Sequence, residues 1–393
     1  MDTNKEPRIW EFSETSFILD LNALFEQLGQ VHDLRKARGK RYPLWALLNV
    51  AVLAKLAGQQ HPEAIADWAQ LRAKPLCRLL GLIRHKMPVL RTWQRVFSQG
   101  LSADELDQIV CDYLVETFAD APQDGSLCAA IDGKTLRGTI SAKNPQGVHL
   151  LAIYLPECGV VLAQMEIGSK ANEISASAQL VRKVDMKGIA LTGDAMFTQR
   201  TLSMEIVETG GDYLWDVKAN QPQLMDDIET LFRDTDDVAI SNELSVAYDR
   251  REGHGRQEKR TLTCSSLLKG YSNFPYLEQV FQIETEVTHL ATGKMNAYLR
   301  YGVTSLSADK ASPDDLLNYV RQHWGIESGL HYRRDVTLGE DRIRPRLDHV
   351  AHVHASLNNL LIALLHKSPI SLAHGLRCTT YNVERLLLKN NST

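Results

Sequence analysis

Hydrophobic positions change their rhythm near residue 125. Before it, apolar residues recur at helical spacing. The pattern predicts a helix over ALLNVAVLAKLAG (46–58), stopped at Gly58, and a second over HPEAIADWAQ (61–70), with Pro62 near its start. MPVLRTWQRVFSQG (87–100), between Pro88 and Gly100, predicts a third. SADELDQIVCDYLVETFA (102–119) predicts a fourth, opened by the capping signal Ser102-x-x-Glu105. Residues 17–115 therefore read as a small all-helical domain, and APQDGS (121–126) as a linker or turn.

Beyond the linker, short apolar runs suit strands: LCAAID (127–132), VHLLAIYL (148–155) and VVLAQMEIG (160–168). The Gly-rich, polar stretch between the first two suits a hairpin or loop. Alternation follows: a helix over 174–185, a buried strand over GIALTGD (188–194), a helix over 197–211 and a strand over DYLWDVKAN (212–220). Three strands followed by strand–helix alternation predict an α/β sheet of mixed direction. Residues 240–305 break the alternation with β-rich runs at 276–287 and 295–306, which read as a strand-rich insertion. Helices resume from Pro313, over DDLLNYVRQHWGIESGLHY (314–332) and VAHVHASLNNLLIALLHK (350–367). The chain contains no internal repeat and no low-complexity segment.

Composition adds bounds rather than identity. With 393 residues, 44% hydrophobic and 23% charged, the chain fits two or three globular domains of about 100–200 residues each. No apolar run is long enough for a membrane span, and the polar N-terminus does not read as a secretory signal. The six cysteines form no Cys-x-x-Cys pair, which predicts neither a zinc site nor a disulfide framework and suits a reduced, cytoplasmic setting. The net charge of −4 gives nucleic-acid binding no support by itself. The distribution of charge is more informative, because cations gather in LRKARGKR (34–41), RREGHGRQEKR (250–260) and RRDVTLGEDRIRPR (333–346). Each could be a solvated face; three together favour a phosphate-binding surface.

Two acids follow buried apolar runs: Asp132 in AAIDGKTLRG and Asp194 in IALTGDAMF. An unpartnered carboxylate is costly there. Either acid could cap a turn or helix. Two strand-end carboxylates on neighbouring strands would also form a hard-oxygen pocket suited to Mg2+. Gly133 would let the chain turn after Asp132, with Lys134 and Arg137 supplying charge for phosphate. A third carboxylate, Glu327, shares a helical face with His323, His331 and Arg334, with Val320 and Trp324 packing inward beside it. That face also admits a zinc site through His323, Glu327 and His331, without the spacing of zinc proteases, or an ordinary surface ion-pair face.

Six segments occur together in order: IDGKTLRG, KANEISA (170–176), GDAMFTQ (193–199), GGDYLWDVKANQP (210–222), HGRQEKR (254–260) and HWGIESGLHYRRDVTLGEDRIR (323–344). In this the chain resembles DDE-type bacterial insertion-sequence transposases, in the branch of the H-repeat-associated, Rhs-linked proteins. The likeness covers nearly the whole chain, including the helical N-terminal stretch. It implies a helical domain over 1–118, associated with DNA binding, and an RNase H-like catalytic domain over 125–393, with a β-rich insertion at about 240–310. It also implies a catalytic, metal-holding triad of Asp132, Asp194 and Glu327.

Related transposases carry a Tyr, Arg, Glu, Lys signature around the glutamate. Here Tyr319 and Arg321 precede Glu327 at compressed spacing, His323 takes the arginine position and Arg334 replaces the lysine, keeping its charge. Asp33-Leu34-Arg35 departs from the branch's Asp-Pro-Arg. The likeness implies two Mg2+ ions, replaceable by Mn2+, about 3.5–4 Å apart. It implies water attack that frees a 3′-hydroxyl at the element end, followed by attack of that hydroxyl on target DNA. The implied partner is double-stranded DNA, both terminal inverted repeats and target, bound by a homodimer. DNA contacts are expected from Lys134, Arg137, Arg256, Arg260, Arg321, His323, Arg333 and Arg334, and in the N-terminal domain from Arg35 and Arg41, with Arg91 and Arg95 beside them. His254 joins the expected insertion contacts. A nuclease that cuts without joining, and a non-catalytic DNA-binding regulator, remain the alternatives.

Overall fold

The structure is a computed structural model that describes residues 9–12, 17–118, 127–168, 173–233, 238–253, 255–344, 348–366 and 371–389. The linker expected at 121–126, the first part of KANEISA, His254 and the end of the third basic cluster lie outside these residues.

The N-terminal region opens with an antiparallel pair that the apolar pattern did not predict, β1 (Ile9–Phe12) and β2 (Phe17–Asp20). Six helices follow: α1 (Leu21–Leu28), α2 (Leu44–Leu56), α3 (Pro62–Leu71), α4 (Ala73–Leu79), α5 (Leu90–Gln99) and α6 (Ala103–Phe118). Helix α2 is apolar nearly all round and is correspondingly buried on nearly every side. The Ser102 hydroxyl accepts from the Glu105 N–H at 3.3 Å, as the capping signal predicts.

The rest of the chain builds one mixed sheet. Its first strands are β3 (Leu127–Leu136), β4 (Val148–Leu155) and β5 (Val160–Glu166), followed by α7 (Glu173–Val181), β6 (Ile189–Gly193), α8 (Arg200–Glu208), β7 (Asp212–Val217), α9 (Pro222–Arg233) and α10 (Val238–Ser241). Four longer strands come next: β8 (Ser245–Gly253), β9 (Arg256–Ser265), β10 (Gln279–His289) and β11 (Met295–Thr304). Helices α11 (Pro313–His323), α12 (Asp348–His366) and α13 (Leu372–Lys389) complete the chain. The nine strands run in the order β5-β4-β3-β6-β7-β11-β10-β9-β8. β3, β6 and β7 are parallel neighbours and the other pairings are antiparallel. The strand-rich segment therefore extends the central sheet, joined to it by β11 on β7.

Helices α6 and α12 fasten the N-terminal helices to the sheet, both packing on β5. One continuous apolar core runs from α2 through α12 to β3–β7. A polar seam crosses it. Asp107 on α6 accepts from Gln164 on β5 at 3.2 Å and pairs with His352 on α12 at 2.5 Å. A second apolar core lies where α11 covers β8–β10, using Leu262, Phe281, Ile283, Leu316 and Val320.

Candidate active site

Asp132 does not end its strand. β3 continues to Leu136, still paired with β4 through Asp132–Ala152 and beyond. The parallel ladder on its other side does end there: its last rung joins Ile131 to Gly193. Asp132 and Asp194 are the next residues on the two strands, so both leave the ladder at the same level. Gly133 makes no turn. A Cβ on it would lie 2.5 Å from His149 Nε2 and 2.8 Å from the Glu173 carboxylate, so glycine makes room for that His149–Glu173 pair beside the site.

The third carboxylate arrives differently from the single helix expected over 314–332. α11 begins at a Ser312–Asp315 capping box and stops at His323. The chain then widens into π-helical turns over Glu327–His331 and Arg333–Thr337, with the Tyr332 N–H bonded to the Glu327 carbonyl. Trp324 does not pack inward but is 61% exposed, whereas Val320 is buried. Gly325 and Gly329 let this segment lie close to the end of β4. A Cβ at the first would meet Pro156 at 2.5 Å, and one at the second would meet the buried Tyr154 hydroxyl at 2.6 Å.

Two histidines contact the carboxylates. His331 Nδ1 lies 3.4 Å from Asp132 Oδ2 and 3.7 Å from Glu327 Oε2. Ligand atoms of Asp132, Glu327 and His331 all fall within 4.8 Å of one another, close enough to share one cation. His323 turns the other way, its Nε2 lying 3.4 Å from Asp194 Oδ1 and its Nδ1 3.2 Å from Thr192 Oγ1. The Thr192 hydroxyl already donates to the Ala129 carbonyl at 2.9 Å, so it accepts from His323 Nδ1–H. His323, Glu327 and His331 therefore do not converge as a zinc triad.

Electrostatics separate the acids. Burial pushes Asp132 above the ordinary aspartate range, against the pull of His331. The His331 imidazole beside it holds Glu327 below the ordinary glutamate range despite partial burial. The His323 imidazole beside it likewise holds Asp194 low, helped by Lys218 and Arg300. These last two cations were not singled out in the sequence. Lys218 sits in DVKANQP just past the end of β7, one strand over from Asp194.

The remaining expected contacts divide by exposure. Arg137 and Arg41 are exposed, and so are Arg91 and Arg95 on α5. Arg256 is half-exposed, 3.2 Å from Glu258. Arg260 and Arg321 converge on Asp249 at 3.3 and 3.4 Å, where β8 and β9 meet α11. Arg333 is half-buried beside His366, at 3.4 Å. Three expected contacts are structural in this fold. Lys134 is buried and ion-paired with Asp335 at 2.5 Å. Arg35 pairs with Asp33 at 2.7 Å and donates to the Gly39 and Tyr42 carbonyls, closing its own loop. Arg334, 1% exposed, leaves the expected face altogether to bond Glu340 at 2.8 Å and Gln164 at 3.0 Å.

Comparison with known proteins bears on these features. Residues 25–114 match the DDE_Tnp_1-associated family and residues 123–365 the Transposase DDE domain. The chain is 27% identical over 354 residues to the putative transposase YncI of Escherichia coli O157:H7, covering 88% of each chain. It is 26% identical over 375 residues to the H repeat-associated putative transposase YhhI of E. coli K12, covering 91% of this chain and 94% of the relative. Among solved structures it is similar to the piggyBac transposase in a synaptic complex with hairpin DNA, at a TM-score of 0.42 and 12% identity, over 98% of this chain and 79% of that one. The catalytic-domain match spans more than half of the chain, and the chain belongs to the DDE transposase family.

Proposed function

We propose that this protein cuts DNA at the ends of an insertion sequence and joins the freed ends to target DNA, using Asp132, Asp194 and Glu327. What supports this reading is that Asp132 and Asp194 follow paired positions on adjacent strands, and that Glu327 is joined to Asp132 through His331. The strands β5-β4-β3-β6-β7, three antiparallel and then two parallel, support an RNase H-like core over 125–393, with β8–β11 as its extension.

The donor set fits a divalent cation: carboxylates suit Mg2+ or Mn2+, and His331 Nε2 is buried without a hydrogen-bond partner among the described residues. When bound, such cations supply an activated oxygen nucleophile and stabilise the leaving oxygen. The protein's own part is placement. Asp132, set in a strand paired on both sides up to Ile131, gives a rigid reference point, and the Gly325–Gly329 approach fixes Glu327 against it. Lys218 and Arg300 supply positive charge near Asp194 for phosphate, Arg137 adds an exposed cation past the end of β3, and Arg256, Arg260 and Arg321 add charge where β8 and β9 meet α11. Residues 1–118, with exposed Arg41, Arg91 and Arg95, grip the element ends. The protein acts as a homodimer on DNA.

A supercoiled plasmid bearing the matching element ends tests this. Cutting with joining in Mg2+ is the expected outcome. Cutting alone would make the protein a nuclease, and DNA binding without cutting a regulator.

A further inference from the structure

The cluster at Glu327 contains an imidazole that the Asp-Asp-Glu reading leaves without a role. We propose that His331 is a direct ligand, through Nδ1, of the cation held by Asp132 and Glu327. The site is thereby unequal: a mixed nitrogen–oxygen half at Asp132, and an oxygen half at Asp194. The inference rests on the metal-dependent reading above.

Three observations lead to it. First, Nδ1 faces both carboxylates, at 3.4 and 3.7 Å. Charge-assisted N–H···O bonds close to about 2.7–2.9 Å, and both contacts are longer than that. They are close to the roughly 3 Å that separates neighbouring ligands around one ion with bonds of about 2.0–2.1 Å. Second, His331 is only 6% exposed, and its Nε2 is buried with no hydrogen-bond partner among the described residues. Nδ1 is thus the ring atom turned to both carboxylates, and a cation shared by the three would draw on its lone pair together with their oxygens. Third, Asp194 is not one of the three clustered ligands; its carboxylate lies 3.4 Å from His323 instead.

An imidazole ligand has a chemical consequence. Carboxylates and water suit both Mg2+ and Mn2+, but of the two Mn2+, a first-row transition ion, accepts an imidazole nitrogen more readily. Mn2+ should therefore bind the Asp132–Glu327 half more tightly than Mg2+ does, and His331 should be the reason.

Pulsed electron paramagnetic resonance on the full-length protein with Mn2+ tests this without DNA or turnover. The wild type should show a 14N coupling from a coordinated imidazole, replaced by a 15N coupling in protein made with 15N-histidine. The coupling should vanish in His331→Gln and persist in His323→Gln. Mn2+ affinity of His331→Gln should fall by about tenfold or more, with its preference over Mg2+ reduced. The wild-type spectrum decides even if a variant folds poorly, since Mn2+ bound at a site abolished by Asp132→Asn but lacking nitrogen coupling overturns the ligand role. A coupling lost only in His323→Gln overturns it equally. In both cases the metal-dependent function stands. Failure of the wild type to bind Mn2+, or binding indifferent to Asp132→Asn, instead overturns the metal reading together with the inference drawn from it.

Discussion

Asp132 and Asp194 emerge from neighbouring parallel strands one residue past their last shared rung, Ile131–Gly193. Up to that rung each strand is held on both sides. Beyond it β3 keeps only β4, and the chain after Asp194 enters a short 3-10 turn, which Asn220 secures by donating to the Ala195 carbonyl at 2.6 Å. The two acids thus stand where the ladder opens, on frames that cannot easily slide. Ligands gather at such places in α/β sheets because polar groups at strand ends are freed from pairing.

The close approach at Gly329 gives the first prediction. Its Cβ would lie 2.6 Å from the hydroxyl of Tyr154, a rigid ring in the core, so Gly329→Ala must push the Glu327 segment off β4. Overpacking of this kind costs about 1–3 kcal/mol. Thermal denaturation should show that loss, and plasmid cleavage should fall further than stability does. An alanine variant with wild-type melting and cleavage would show that the segment has slack.

Two buried bases make opposite contributions to stability as pH changes. Burial lowers Lys55 from 10.5 to about 7, against the pull of Glu340. The folded state therefore releases a proton that the unfolded chain keeps, and the penalty of burying the charge is full below pH 7 and fades toward 10.5. Lys55→Met should stabilise the protein most below pH 7, with the gain shrinking as pH rises. His352 has the other sign. Burial opposes its charge, yet Asp107 and Glu166 together raise it from 6.5 to about 9. Its contribution is full below 6.5 and is lost on going up to 9. Urea titrations of Lys55→Met should therefore show stability falling by about 1.4 kcal/mol per pH unit across that window. A flat profile would mean that His352 is neutral in the fold.

Arg334 and Arg256 should separate structural from DNA-facing arginines. Breaking the buried Arg334–Glu340 pair leaves a carboxylate stranded in the core, so Arg334→Ala should lose about 3–5 kcal/mol of stability. Arg256→Ala removes a half-exposed cation and should leave the melting temperature nearly unchanged. DNA affinity should weaken, with the salt dependence reduced by about one phosphate contact. Unchanged melting in Arg334→Ala, or a large loss in Arg256→Ala, would reverse the assignment.

Buried elements were the most legible in the amino-acid pattern. VHLLAIYL, apolar and bounded by polar turns, is β4 residue for residue, and the run before Gly193 is β6. β3 was cut short at Asp132 because Gly133, Lys134 and Thr135 look like loop, although Lys134 is buried by its bond to Asp335. β8 was missed because most of its side chains face solvent and carry charge. The turn from α-helix to π-helix after His323 leaves no trace in a 3.6-residue rhythm. For that reason the helical rhythm puts His323, His331 and Arg334 on one face, whereas they serve Asp194, Asp132 and the core respectively. An arginine by itself reads as surface; only its buried partners Glu340 and Gln164 show otherwise.

The central claim, that Asp132, Asp194 and Glu327 form one metal-dependent active site, is tested most directly by cleavage of a plasmid carrying the element ends. The substitutions Asp132→Asn, Asp194→Asn and Glu327→Gln keep size and remove charge. Each should abolish cleavage in Mg2+ while sequence-specific binding to the ends survives. EDTA should reproduce the loss in the unaltered protein, and Mn2+ should restore activity. Cleavage at the wild-type rate by any one of the three variants would contradict the account.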